Sequence, residues 1–353
     1  MIRFSFTAAS VLLGCLAVCA YYCPNASGDE LYVKGKGVER GIVTDMSKAE
    51  VTLSVGGAKR PFPANEIQRI IYEGEPSDLT QARRVILESA NYKAALEDLK
   101  KVDLKKVESR TDIIKQEVDF YRAFCMAHLS LTEGGDKTAA ETALRDFCTA
   151  HKESYHFYPA AELAGDVASL AGKFAEAAKY YGVVTKAPWD ETRIRSMVAS
   201  GRMLSAQGNY PEALKKYEEV DKDTATTGTD AYKQQAIVGR AVCLAETGKH
   251  DEAIALIMDK DGVIAKNDPK EVKLMSRAYN ALGTAYVKAG KKKEAILAFL
   301  HTDLLYFQDP DAHAEALYHL ASLFQDTNKS EKSIEARNTL KQRYAGSVWE
   351  SKK

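Results

Sequence analysis

The stretch "YNALGTAYVKAGKKKEAILAF", Tyr279 to Phe299, decides how the chain folds. It carries Gly283 and Gly290 seven residues apart, followed by Ala295 and Phe299. A glycine inside a helix costs about 1 kcal/mol relative to alanine. Two of them in helical text therefore need a structural reason. The same frame recurs upstream as "AGKFAEAAKYY" at Gly172, "QGNYPEALKKY" at Gly208 and "TGKHDEAIALI" at Gly248. The steps from Gly172 to Gly208, Gly248 and Gly290 are 36, 40 and 42 residues. "TNKSEKSIEAR" continues the series 38 residues later with Asn328, which tolerates the left-handed backbone nearly as glycine does.

Around each glycine the offsets repeat. Seven residues before stand Gly165, Gly201, Ala241 and Gly283; five after stand Ala177, Ala213, Ala253 and Ala295. Tyr181, Tyr217, Ile257 and Phe299 follow four residues further on. This is the logic of a helix hairpin. The later glycine turns the chain, the earlier small residue allows close approach, and the large residue fills the gap to the next hairpin.

Tyr279, Leu282, Gly283, Ala285, Tyr286, Gly290, Ala295 and Phe299 together resemble the tetratricopeptide repeat family. Weaker copies lie at "ESANYKAALEDLKKV" (Tyr92, Ala95, Leu99) and "GDKTAAETALRDF" (Ala140, Leu144). About seven hairpins then cover residues 79–350. The resemblance implies a mainly α fold, a right-handed α-solenoid whose first helices line a concave groove. Counted from the turn glycines, the groove residues are Glu162 and Asp166, then Arg195, Val198 and Arg202, then Gln235, Val238 and Val242. Arg277, Asn280, Thr284, Val287 and Lys288 follow, then Tyr318 and Ser322. The lining is acidic in the earlier hairpin and basic from Arg195 to Lys288, so a peptide or partner helix of complementary charge is the expected ligand. The lysine and asparagine clamp used by the family's chaperone-tail binders is not reproduced. Val198 and Arg202 stand in one repeat, and Asn280 and Thr284 in another. The repeat period exceeds 34 because extra residues such as "VDKDTATTGTD", Val220 to Asp230, follow the second helices. "LKQRYAGSVW" resembles the closing motif of repeat proteins of the bacterial envelope, including outer-membrane assembly lipoproteins and the cell-division coordinator linked to the Tol system.

Before the array, residues 29–76 alternate with a period of two and are punctuated by Gly35, Gly37, Gly56 and Gly57. Five short strands suggest a small closed barrel, loosely similar to Sm or Src-homology barrels. Leu31, Val33, Val38, Ile42, Val51, Leu53, Ile67, Ile70 and Ile71 form its expected core. From Leu31 to Glu75 there are seven Lys and Arg against six Asp and Glu, and the aromatics are Tyr32, Phe62 and Tyr72. That is a poor platform for nucleic acid, so a structural or docking role is the expectation.

The first twenty residues, "MIRFSFTAASVLLGCLAVCA", have the layout of a secretory signal peptide. Cleavage after Ala20 is the first reading. "LLGC" ending at Cys15 resembles a lipobox, which makes a lipid-anchored Cys15 the alternative, and an uncleaved anchor is a third. Export to the periplasm or cell envelope is the expectation. Lys plus Arg equal Asp plus Glu at 49 each, so no global field recruits nucleic acid or an anionic membrane. The six cysteines include no CxxC pair, which argues against zinc. A disulfide between Cys125 and Cys148 is conceivable on one hairpin, but buried thiols acting as small apolar residues are preferred.

HExxH, GxSxG and P-loop motifs are absent, and "GGDKT", Gly134 to Thr138, sits at a helix turn with no strand before it. His313 and His319 are six apart and so on different helix faces, which disfavours a metal pair. The sequence therefore predicts a non-enzymatic scaffold without cofactors that binds protein or peptide partners. The alternatives are a non-catalytic subunit or adaptor of an envelope enzyme complex, and nucleic-acid binding through the barrel.

Overall fold

The computed structural model describes residues 28–132, 135–224, 228–344 and 347–352. The leader and Cys15, Cys19 and Cys23 lie outside them. The chain opens with five antiparallel strands: β1 (Asp29–Val33), β2 (Gly37–Met46), β3 (Glu50–Val55), β4 (Ala58–Pro63) and β5 (Ile67–Ile71). They lie in the order β4-β3-β2-β1-β5. The expected barrel is therefore an open sheet: β4 and β5 are its edges and do not pair among the described residues. Edge β4 carries Pro61 and Pro63, residues without an N–H to give to a further strand. The apolar face that closure would have covered packs instead on helices, through Leu79, Ala82 and Ile86 and through Ile114 and Val118.

The barrel core also needs correction on β2. Val38 and Ile42 are exposed, and Val43 is buried in their place. The cause is register. Leu31 stands opposite Glu39 and Asp29 opposite Gly41, so the odd-numbered residues of β2 face inward. Gly41 fits there because a Cβ would meet the Ser54 carbonyl oxygen at 2.4 Å.

Seven helix hairpins follow among the described residues. They are α1 (Ser77–Ser89) with α2 (Tyr92–Lys101), α3 (Thr111–Thr132) with α4 (Lys137–Ala150), and α5 (Phe157–Leu170) with α6 (Phe174–Val184). Next come α7 (Asp190–Ala206) with α8 (Tyr210–Lys222) and α9 (Asp230–Glu246) with α10 (His250–Met258). A short α11 (Val263–Lys266) lies in the following connection. The last hairpins are α12 (Val272–Lys288) with α13 (Lys292–Leu305) and α14 (Pro310–Asp326) with α15 (Ser330–Arg343), and a short α16 (Val348–Ser351) ends the described chain.

The hairpin turns are built alike. Gly172, Gly208, Gly248, Gly290 and Asn328 all have positive φ, between 60° and 89°. After each, one N–H reaches back five residues: Lys173 to Ala168, Asn209 to Leu204, Lys249 to Leu244, Lys291 to Tyr286 and Lys329 to Phe324. The positive-φ residue itself donates back three residues, as from Gly172 to Ser169 and from Gly290 to Val287, which completes a Schellman cap. The earlier glycines have a different task. A Cβ at Gly165, Gly201 or Gly283 would come within 2.8, 2.7 or 2.7 Å of the ring of Tyr181, Tyr217 or Phe299. Each aromatic of a second helix thus lies directly on the backbone of the first.

The sheet shares one core with the opening hairpins, from Leu31 and Leu53 through Leu79 to Leu144 and Val167. Buried charges stitch this seam. Asp29 on β1 accepts from the backbone N–H of Val43 and of Glu73 and pairs with Arg110 ahead of α3. Arg83 of α1 pairs with Glu75 and, at 2.7 Å, with Glu117 of α3. His156, at the start of α5, lies 3.3 Å from Glu117 and stacks on Phe120. Burial pushes the Glu117 carboxyl up, but the His156 and Arg83 charges outweigh it and the net direction is down.

Candidate functional site

First helices of four successive hairpins contribute one face each to a cavity of about 340 Å³. From α7 come Val198, Arg202 and Ser205, and from α9 Gln235, Val238, Gly239 and Val242. From α12 come Leu274, Arg277, Asn280 and Ala281, and from α14 Asp311, Ala312 and Glu315. Their spacings of three and four residues put each set on one helical stripe. Tyr217 of α8 reaches in over two glycines. Added Cβ atoms at Gly201 and Gly239 would meet its ring at 2.7 and 2.3 Å, so the phenol spans two hairpins. Trp349 of α16 forms one end wall.

The cavity is mixed in character, with an apolar floor and polar groups on opposite walls. Arg202 is exposed and makes no hydrogen bond or ion pair among the described residues. Arg277 gives its Nε to Asp309 at 3.2 Å, the residue that caps α14 through the Ala312 N–H. Its two terminal nitrogens have no hydrogen-bond partner among the described residues. Asn280 donates from Nδ2 to the Ala312 carbonyl at 2.8 Å and to Glu315 Oε2 at 2.9 Å. Its Oδ1 is buried and has no hydrogen-bond partner among the described residues. Burial pushes the Glu315 carboxyl up, against the Asn280 hydrogen bond and the charges of Arg277 and Lys352. Burial likewise pushes the Tyr217 phenol up, while Arg202 and Arg277 pull it down.

The expected groove residues divide accordingly. Val198, Arg202, Gln235, Val238, Val242, Arg277 and Asn280 converge on this cavity. Arg195 does not. Its guanidinium takes Glu162 at 2.6 and 2.8 Å and lines a smaller hollow beside Trp189 and Tyr158. The Glu162 hydrogen bond is the main reason the Arg195 guanidinium holds its proton more tightly. Asp166 accepts from the Tyr181 hydroxyl at 2.6 Å. Thr284 is buried, Val287 packs toward the last hairpin, and Lys288 pairs with Glu246 at 2.7 Å. Tyr318 lies under α16, its ring 5.6 Å from that of Trp349, and Ser322 is exposed. Sequence counting missed Tyr217, Asp311, Glu315 and Trp349 as lining residues. A mid-helix glycine at 239 was the one available signal for Tyr217.

Elsewhere the site chemistry is sparse. Among the described residues, no group of three or more His, Cys, Asp or Glu is placed to hold a metal ion, and no helix is long and apolar enough to cross a membrane. Cys125, Cys148 and Cys243 are free thiols. Asp136, in the "GGDKT" stretch, caps α4 by accepting from the Thr138 and Ala139 N–H groups.

Comparison with known proteins agrees with this architecture. Residues 276–301 match the tetratricopeptide repeat family. No curated protein matches the chain. Among solved structures, a tetratricopeptide repeat protein from Parabacteroides merdae superposes with a TM-score of 0.59 at 12% identity, over 77% of this chain and 95% of that one. The apo quorum sensor NprR from B. thuringiensis gives 0.47 at 14% identity, over 76% and 86%. PilF of Pseudomonas aeruginosa gives 0.41 at 16% identity, over 67% and 96%. The Parabacteroides likeness is one of fold. The family match covers residues 276–301, and the hairpins on either side are stacked in the same repeating way.

Proposed function

We propose that this chain is an exported, non-enzymatic scaffold that holds a segment of a partner protein against the concave face between α7 and α14. The observation that carries the reading is the cavity. Four first helices give it apolar floors and polar walls, and seven residues that the repeat frame assigns to the groove converge on it. Tetratricopeptide arrays commonly bind protein or peptide partners on this face. Export rests on the leader-like first twenty residues.

The test is capture from the native cell envelope by the full chain and by two groove variants. Gln235→Trp fills the cavity, and Arg202→Glu reverses the charge at its rim. A partner that the parent captures, and that both variants lose while keeping the parent's circular dichroism and melting temperature, supports the reading. A partner captured equally by all three removes the groove assignment. Mass spectrometry of the mature N-terminus separates the export alternatives, since cleavage leaves Tyr21 first and lipidation leaves a modified Cys15.

A further inference from the structure

We propose that the cavity selects an extended, acidic segment, with one Asp or Glu carboxylate seated on Arg202 and Arg277 and an apolar neighbour on Val238 and Leu274. This rests on the reading of the concave face as the binding surface and adds what that surface recognises.

Three observations converge. The first is charge left over after internal pairing. The neighbouring arginines are used within the fold: Arg195 by Glu162, Arg193 by Asp223 and Asp190, Arg240 by Asp221. Arg202 has no such partner among the described residues, and Arg277 uses only its Nε. Both guanidinium groups act on the phenol of Tyr217, so their fields overlap at one place on the floor. Asp166, which also feels Arg202, spends a carboxylate oxygen on Tyr181. An external carboxylate is the complement of planar, unshared N–H donors.

The second observation is the orphan acceptor. Asn280 is 2% exposed, lines the cavity, and has no donor to its Oδ1 among the described residues. A buried acceptor left unpaired is costly, and an incoming N–H repairs it. A helical partner has already spent its backbone N–H groups internally, whereas an extended segment presents them. The third is size. About 340 Å³ falls at the small end of ligand pockets, which suits side chains from a strand-like segment better than a whole helix.

The opposite wall sets the limit on this charge. Asp311 and Glu315 are acidic, but Glu315 accepts from Asn280 and is pushed toward its neutral form by burial, and Asp311 stands exposed at the rim. The carboxylate is therefore expected between Arg202 and the terminal nitrogens of Arg277, away from Asp311 and Glu315.

The experiment uses the full chain and an immobilised array of end-capped pentapeptides. Each has a central Glu and flanks drawn from Ala, Leu, Val and Phe, and each has a twin with Gln at the centre. The strongest pair is then measured by calorimetry. The Glu peptide is expected to bind about tenfold tighter than its twin. Arg202→Gln, on an exposed side chain that supports no other residue, is expected to erase that preference and leave the twin unchanged. Equal binding of Glu and Gln twins, or no binding across the array, overturns the proposal. So does displacement of the peptide by free glutarate at equal concentration, which would make this a small-acid pocket. A natural partner that Gln235→Trp loses and Arg202→Gln keeps would leave the scaffold reading standing and remove the acidic selectivity alone.

Discussion

The ring of Phe299 lies against the backbone of Gly283: a Cβ built on that glycine would stand 2.7 Å from it. On its other side the ring stacks on His319 of the next hairpin, with centroids 4.7 Å apart. One aromatic therefore joins three helices, and the glycine is what lets it.

Gly283→Ala should destabilise the array by about 1–3 kcal/mol, because overpacking outweighs the gain of about 1 kcal/mol in helix propensity. Replacing Phe299 by Leu in the same chain should recover part of the loss. Gly290→Ala should cost a comparable amount for another reason. Its φ is 73° and nothing stands within 4 Å, so the cost is backbone strain and no change at Phe299 rescues it. Urea denaturation of the five chains, parent included, checks this. Rescue of Gly290→Ala by Phe299→Leu would refute the division of roles.

Both glycines were legible because their tasks repeat with the hairpin. Turn position and close approach recur at fixed offsets, and counting from them brings Val198, Arg202, Gln235, Val238, Val242, Arg277 and Asn280 to the cavity but not Arg195, Thr284, Lys288 or Tyr318. Gly239 was not legible, since its partner Tyr217 belongs to the preceding hairpin, across a connection of irregular length. Val38 and Ile42 were misjudged because the face of β2 is set by its register against β1, and its inner positions hold Glu39 and Gly41. Arg83 and Glu117 carried no signal in the sequence, since their pairing spans 34 residues. Trp349 lies in the short α16 after the last hairpin and has no counterpart in the other repeats, so counting between repeats could not bring it to the cavity.

The buried charges at the seam give an asymmetric expectation. Glu117→Leu alone leaves Arg83 with one partner and His156 with none, and should cost about 3–5 kcal/mol. Arg83→Met with Glu117→Leu removes that pair but leaves the buried Glu75 carboxylate without its guanidinium. The double variant should therefore be less stable than Glu117→Leu alone, in which Arg83 keeps Glu75. Thermal unfolding of the two chains reads the order directly, and a double variant more stable than the single one would contradict it.

The buried thiols should be inert in the folded state. Burial pushes Cys125 and Cys148 up to about 12. At pH 8 the thiolate fraction at each is then about one in ten thousand, and the thiolate is the form that reacts. Iodoacetamide at pH 8, read by peptide mass spectrometry, should label both sites in urea and neither in native buffer. Labelling of Cys148 at the same rate in both conditions would show that its burial is transient.

Acid should weaken the last hairpin through His319. Burial, helped by Lys352 and Lys288, pushes this imidazole down from 6.5 to about 4. The sign follows from proton uptake. Below pH 6.5 the unfolded chain gains a proton at this site, and the folded chain does not until about pH 4. Stability is therefore complete above 6.5 and falls as the pH drops toward 4, by at most about 3 kcal/mol. Burial pushes His128 and His156 in the same direction. Urea midpoints at pH 7.5 and 5 for the parent and His319→Phe isolate the contribution. An equal drop in both chains would assign the acid sensitivity to the other histidines.

Trp349 is the link between that histidine and the cavity. Its ring lies 5.8 Å from His319 and 5.6 Å from Tyr318, and Lys352 rests over it at 4.4 Å. The indole thus shields His319 from water while forming the end wall of the cavity. Trp349→Ala should readmit water to both places. The imidazole should then titrate closer to 6.5, since burial is the main cause of its depression. The acid sensitivity of the array should shrink with it. Lys352 loses its seat on the indole, so its opposing charge no longer holds the imidazole neutral from that position. NMR titration of the His319 ring protons in the parent and in Trp349→Ala measures the shift. An unchanged titration would mean that Phe299 alone keeps His319 dry, and that α16 closes the cavity without governing the histidine beside it.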